Sequence, residues 1–191
     1  MGAVNSEEVV VSEEPFFGYQ DIGEKGFIRW SLEYSMEPII ECYLAIPPDL
    51  RYGRPMERLS APCRILGHIA RNEESLLRGC AQGIAESAFA GSRAVFNLSQ
   101  AMTEQQLREQ IPDTSIGVDY WRQVRKQTLE FLDGLTGEDL RKRPVRSTLR
   151  QGDGNRDNPL REFFLMAIQH QNLHWGGLRV ICRLLGVAVR W

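Results

Sequence analysis

Residues 167–186 read AIQHQNLHWGGLRVICRLLG and hold two of the chain's three histidines, His170 and His174. On a helix, side chains four residues apart differ by about 40° in azimuth and about 6 Å in height, so both imidazoles can reach one ion. They share a stripe with Phe163, Ala167, Gly177 and Ile181. That stripe faces a core, where an imidazole without a partner costs about 1–3 kcal/mol. The third histidine, His68, lies in LGHIARNE, on the edge of another apolar stripe. Three neutral imidazoles on one divalent ion leave a coordination position open for water or substrate, which is competent Lewis-acid chemistry. His68, His170 and His174 are therefore the expected metal ligands, for zinc, nickel, iron or copper.

Each such ring needs its other nitrogen held. Asn72, Glu73 and Gln171 are the polar residues close enough in sequence, although Glu73 and Glu74 also read as solvated charges. Gly176 and Gly177 remove bulk beside the ligands. Glycine inside a helix costs about 1 kcal/mol, so room for a ligand or a close helix contact is the motive. Gly177 and Trp121 are the expected cavity-lining residues, while Trp30, Tyr34 and Trp121 also read as core. The opposed reading is a non-catalytic dimerisation or binding module whose histidines hydrogen-bond within the core. A wet site above the histidines separates the two.

The elements that must position these residues are helical. GFIRWSLEYSMEPIIECYLA places Phe27, Trp30, Tyr34 and Ile40 near one face, with Pro38 expected to kink or split the helix. Ser60 offers an N-cap and Pro62 a first turn for a second helix carrying Ile65, His68, Ile69 and Leu76. Thr103–Gln106 spells a capping box. A third helix spans roughly 116–135, with Trp121, Val124, Thr128, Phe131 and Leu135 at helical spacing. After the polar loop RSTLRQGDGNRDN, Asn158 and Pro159 have N-cap and N1 chemistry, and the last helix runs to Gly186. Four long amphipathic helices give an all-α antiparallel four-helix bundle over residues 24–191, behind a flexible N-terminal tail, residues 1–23. Ile46–Pro55 and Leu135–Pro144 echo each other, sharing D-L-R and then R-P, as two related helical hairpins would. That relation puts the second and fourth helices, and so all three histidines, face to face.

With 191 residues and net charge −2, the chain fits one domain with no field to recruit nucleic acid or an anionic membrane. The basic run Arg141, Lys142, Arg143, Arg146, Arg150 and Arg156 lacks interleaved aromatics and reads as a solvated loop. Cys42, Cys63, Cys80 and Cys182 are scattered and read as buried thiols of a reducing compartment. The acidic start resembles no signal peptide and no apolar run is long enough to span a bilayer, so a cytoplasmic protein is expected.

LGHIARNE (Leu66–Glu73), HQNLHWG (His170–Gly176) and the LTGEDLRKRP element (Leu135–Pro144) together resemble the DinB/YfiT-like superfamily. The resemblance extends over residues 24 to 186. It implies an up-down-down-up four-helix bundle, frequent homodimerisation, and a divalent metal (nickel, zinc or iron) on a histidine triad that falls on His68, His170 and His174. Characterised relatives include thiol-dependent transferases and isomerases, which implies a small-molecule substrate, a low-molecular-weight thiol as partner, and a metal-dependent transferase or hydrolase activity. Trp175 and Gly177 stand where that family commonly has arginine and glutamine in H-x-x-x-H-R-G-Q.

Overall fold

The computed structural model describes residues 22–84, 101–144 and 158–189. Among them every regular element is helical: α1 (Gly23–Ala45), α2 (Pro62–Glu74), α3 (Glu104–Gln110), α4 (Ile116–Asp133) and α5 (Leu160–Leu184). A π-helix over Ser75–Ala81 continues α2, where the sequence suggested α-helix to the end. Helix α1 packs on α5 and α4, and α2 packs on the same two. No helix among the described residues is long and apolar enough to cross a membrane. The expected tail up to residue 21, and the polar loop up to residue 157, lie outside the described residues.

Local chemistry sets the helix ends. Thr103 and Gln106 close the capping box, with Gln106 N–H donating to Thr103 Oγ1 at 3.3 Å and Thr103 N–H to Gln106 Oε1 at 2.9 Å. Gly186 takes φ of +67° after α5, and the Val187 and Gly186 amides bond back to the Cys182 and Arg183 carbonyls. Two starts differ from expectation. Ala61, not Ser60, is the N-cap residue of α2, and Pro159, not Asn158, precedes α5; neither start has a side-chain cap. Proline supplies the turn in both cases, by fixing φ without needing a donor.

Pro38 does not split α1, which runs unbroken through it. The carbonyl that loses its amide partner belongs to Tyr34, an exposed residue, so the break falls on the solvent side of the helix rather than in the core. The expected face of α1 holds at Ile40, which is buried, but not at its aromatic residues. Phe27 and Tyr34 are 41% and 62% exposed, and they stack about Trp30 with ring centroids 6.2 and 5.0 Å apart. The buried face carries Ile28, Leu32, Ser35, Ile39, Cys42 and Tyr43. Both stripes are apolar, so periodicity alone does not choose between them.

The sequence echo has a structural counterpart. Asp49-Leu50-Arg51 and Asp139-Leu140-Arg141 each lie in a 3₁₀ turn, but with opposite faces inward. Arg51 is buried and Leu50 exposed in the first turn, whereas Leu140 is buried and Arg141 exposed in the second.

The core is two apolar clusters. One gathers Ile39, Tyr43, Leu66, Ile69, Trp121, Val124, Leu178 and Ile181; the other gathers Leu32, Leu77, Leu132, Leu160, Phe163 and Ala167. Along each long helix a buried polar residue falls between them: Ser35 on α1, Glu73 and Glu74 on α2, Arg125 and Thr128 on α4, and Gln171 on α5. A polar stratum therefore crosses the core. Its centre is Arg125, which donates from Nε to Glu73 Oε1 at 2.8 Å and from Nη2 to Glu73 Oε2 at 2.7 Å. Nη2 also donates to Gln171 Oε1 at 2.6 Å, and Nη1 donates to the Leu32 carbonyl. One guanidinium carried by α4 thus bonds to each of the other three long helices.

Candidate metal centre

Helix α5 presents His170 and His174 from one face, and α2 brings His68 against them. His170 Nε2 lies 3.0 Å from His68 Nε2 and 3.1 Å from His174 Nε2. The ring centroids are 4.8, 4.9 and 4.5 Å apart, with the planes set edge to face. One nitrogen from each ring lies within 4.8 Å of the other two. The sequence-based expectation that positions 68, 170 and 174 come together is what the fold does.

A proton cannot satisfy this arrangement. A neutral imidazole nitrogen either donates one hydrogen or accepts through one in-plane lone pair. His170 Nε2 faces two other ring nitrogens at once, so hydrogen bonding leaves at least one contact poorly paired. A cation suits all three. Nitrogens held on one ion at about 2.0–2.1 Å, with about 90–110° between them, stand roughly 2.9–3.4 Å apart, the range found here.

The rings are held in the ligating protonation state. Burial, followed by the charges of His174, Arg71 and Arg64, pushes His68 down to about 4. Burial, with His174 and His68 beside it, takes His170 down to about 4, and burial also lowers His174. All three are half-buried and retain contact with solvent.

The other expected residues separate by environment. Glu73 and Gln171 are buried, and their hydrogen bonds run to the stratum: Glu73 to Arg125 and Trp121, Gln171 to Arg125 and Ser35. The solvated reading of Glu73 and Glu74 does not hold, because both are buried and Glu74 accepts from the Tyr120 hydroxyl at 2.6 Å. Burial alone would raise the Glu73 carboxyl; the charge of Arg125 and hydrogen bonds from Arg125, Trp121 and Thr128 instead hold it below its ordinary value. Asn72, one turn beyond His68, keeps a buried Oδ1 with no donor among the described residues. Trp121 lies wholly in the core, its indole N–H donating to Glu73 Oε2 at 2.8 Å. At Gly177 an added Cβ meets nothing within 4 Å, so space rather than close helix contact is what the glycine provides.

Sequence reasoning missed Arg125. Its position, four residues after Trp121 and three before Thr128, is on the inward stripe of α4 and carried the available signal. Of the basic run, Arg141, Lys142 and Arg143 are exposed, and Arg146, Arg150 and Arg156 lie outside the described residues.

No curated protein and no solved structure matches the chain. The profile of the DinB superfamily matches residues 43–178, a span that contains His68, His170 and His174 and four of the five helices in whole or large part. With three imidazoles able to hold a metal ion inside that span, the chain belongs to the DinB superfamily.

Proposed function

We propose that this protein is a divalent-metal enzyme in which His68, His170 and His174 hold one ion and leave a coordination position open. The observation that carries the reading is the convergence of three neutral, half-buried imidazole nitrogens on a point that no proton can satisfy. The ion, when bound, supplies Lewis-acid activation of a water or thiol. The chain does the rest. Burial keeps the rings neutral, the Arg125 stratum fixes α5 against α2, and Gly177 leaves room beside His174. A transferase or hydrolase acting on a small molecule, with a low-molecular-weight thiol as co-substrate, is the reaction class the family suggests. The four long helices form an antiparallel up-down-down-up bundle in this reading, and the protein works in the cytoplasm.

A homodimer belongs to the same proposal. Leu173, Val180 and Leu184 form an exposed apolar edge on α5, with Leu173 73% exposed, and light scattering on the purified protein tests the association. The alternative of a non-catalytic module with hydrogen-bonded histidines is disfavoured by the doubly faced His170 Nε2.

The test is metal analysis of protein purified without a histidine tag. About one equivalent of a divalent ion, bound or taken up on reconstitution, is expected, and His170→Ala should lose most of the affinity. Less than about a tenth of an equivalent after reconstitution overturns the reading.

A further inference from the structure

A ligating imidazole has a second ring nitrogen, and holding that nitrogen fixes both the tautomer and the direction of the ring. Two polar residues near the triad are committed elsewhere, Glu73 to Arg125 and Trp121, and Gln171 to Arg125 and Ser35. Asn72 is in a different position. Its Oδ1 is sealed from solvent and has no hydrogen-bond partner, a standing cost to the fold. No water-sized opening lies against that oxygen, so its donor has to be a neighbouring side chain rather than a visiting molecule. Asn72 stands four residues after His68 on the same face of α2. Helical side chains lean towards the N-terminus, which tips the amide over the turn that carries His68.

The state of the histidine decides when a donor exists. Among the described residues His68 hydrogen-bonds only through Nε2, which lies 3.0 Å from His170 Nε2, so Nδ1 is the outer nitrogen of its ring. In metal-free protein that contact needs a hydrogen on Nε2 of one of the two rings, and a neutral ring with its hydrogen there has none on Nδ1. A neutral ring that ligates through Nε2 carries its hydrogen on Nδ1 instead. Loading therefore fixes His68 in the tautomer that offers the missing donor.

We propose that Asn72 is a positioning residue of this centre, its Oδ1 accepting from His68 Nδ1–H when His68 Nε2 holds a divalent ion. Small rotations of the two side chains close the bond. The inference rests on the metal-centre reading and adds to it a residue that contributes to affinity in the loaded protein and is idle in the empty one.

The test titrates zinc by calorimetry into the metal-free full chain, as wild type and as Asn72→Leu, whose side chain is close in volume but accepts nothing. Zinc affinity about tenfold or more weaker in the variant is expected, at unchanged stoichiometry. Urea unfolding of the metal-free proteins should place the variant at or above the wild type, because an unpaired acceptor has gone. Asn72→Asp, which keeps an acceptor oxygen, should recover most of the affinity. In long-range proton–nitrogen spectra of zinc-loaded protein, the His68 Nδ1–H should be protected from exchange in the wild type and unprotected in Asn72→Leu. Equal zinc affinity in the wild type and Asn72→Leu overturns the inference and leaves the metal-centre reading standing. So does a loss that Asn72→Asp does not recover, or one matched by lower stability of the metal-free variant, since either makes Asn72 a packing residue. A wild type that takes up no zinc overturns both readings together. Asn72→Ala gives the same comparison if the leucine variant does not fold.

Discussion

Arg125 and Glu73 meet through two parallel bonds, and each side chain is only 2% exposed. A pair so thoroughly removed from water gains Coulomb energy but loses hydration on both partners, so its net contribution to stability is small. Breaking it is a different matter. Arg125→Met strands a buried carboxylate and should cost about 3–5 kcal/mol in urea unfolding. Arg125→Met/Glu73→Gln should recover a substantial part. A single variant within about 1 kcal/mol of wild type would show that the pair is not sealed as described.

The response to pH follows from the same buried groups and from the histidines. Glu73 is held low by its partners, so the stability it contributes is present above its unfolded value and is lost as pH falls through the folded one. His68 and His170 are bases pushed down to about 4, against an unfolded value of 6.5. Between those values the unfolded chain binds more protons than the folded chain, so stability falls with falling pH. Metal-free protein should lose stability from about pH 6.5 towards 4, with imidazole ring resonances titrating near the bottom of that window. His68→Gln should flatten the slope, and a ring midpoint near 6.5 at position 68 would contradict the burial.

The thiols should be silent. Cys42, Cys63, Cys80 and Cys182 are all buried and in no disulfide, and burial pushes the Cys42 and Cys63 thiols up to about 12. Cys42 Sγ and Cys182 Sγ lie 3.4 Å apart between α1 and α5, both out of reach of solvent. Reaction with an aromatic disulfide reagent should register close to no thiols in the native protein and four in denaturant. Rapid modification of one cysteine before unfolding would show an access route that the packing denies.

Gly177 separates stability from access. Gly177→Ala fills no occupied space and removes a flexible residue from a helix interior, so it should stabilise the protein by about 0.5–1 kcal/mol with zinc affinity unchanged. Gly177→Leu should leave zinc affinity unchanged as well but hinder small molecules from reaching the bound ion. Loss of folding in the alanine variant would mean that the space is occupied.

The fold class and the triad were legible because both depend on local spacing. His170 and His174 sit four apart on a helix, and the Ile65, Ile69 and His68 pattern oriented the partner helix. Less legible was everything decided by packing between helices. Periodicity grouped Phe27, Trp30, Tyr34 and Ile40 near one face, yet Ile28, Leu32 and Ile39 offered an equally apolar stripe and, with Ile40, won the core. Glu73 looked like a ligand support or a solvated acid, because its true partner, Arg125, is 52 residues away on another helix. The echo at Asp49 and Asp139 survives as a shared 3₁₀ turn, while its burial pattern reverses according to what each turn packs against.

Arg125 ties α4 to the other three long helices, which sets the terms on which the histidines work. Donors carried on helices already locked together need little rearrangement when an ion arrives, so loading the centre is a matter of capture rather than of folding. Stripping the ion with a chelator should accordingly leave the helices standing, and the empty protein ready to be refilled.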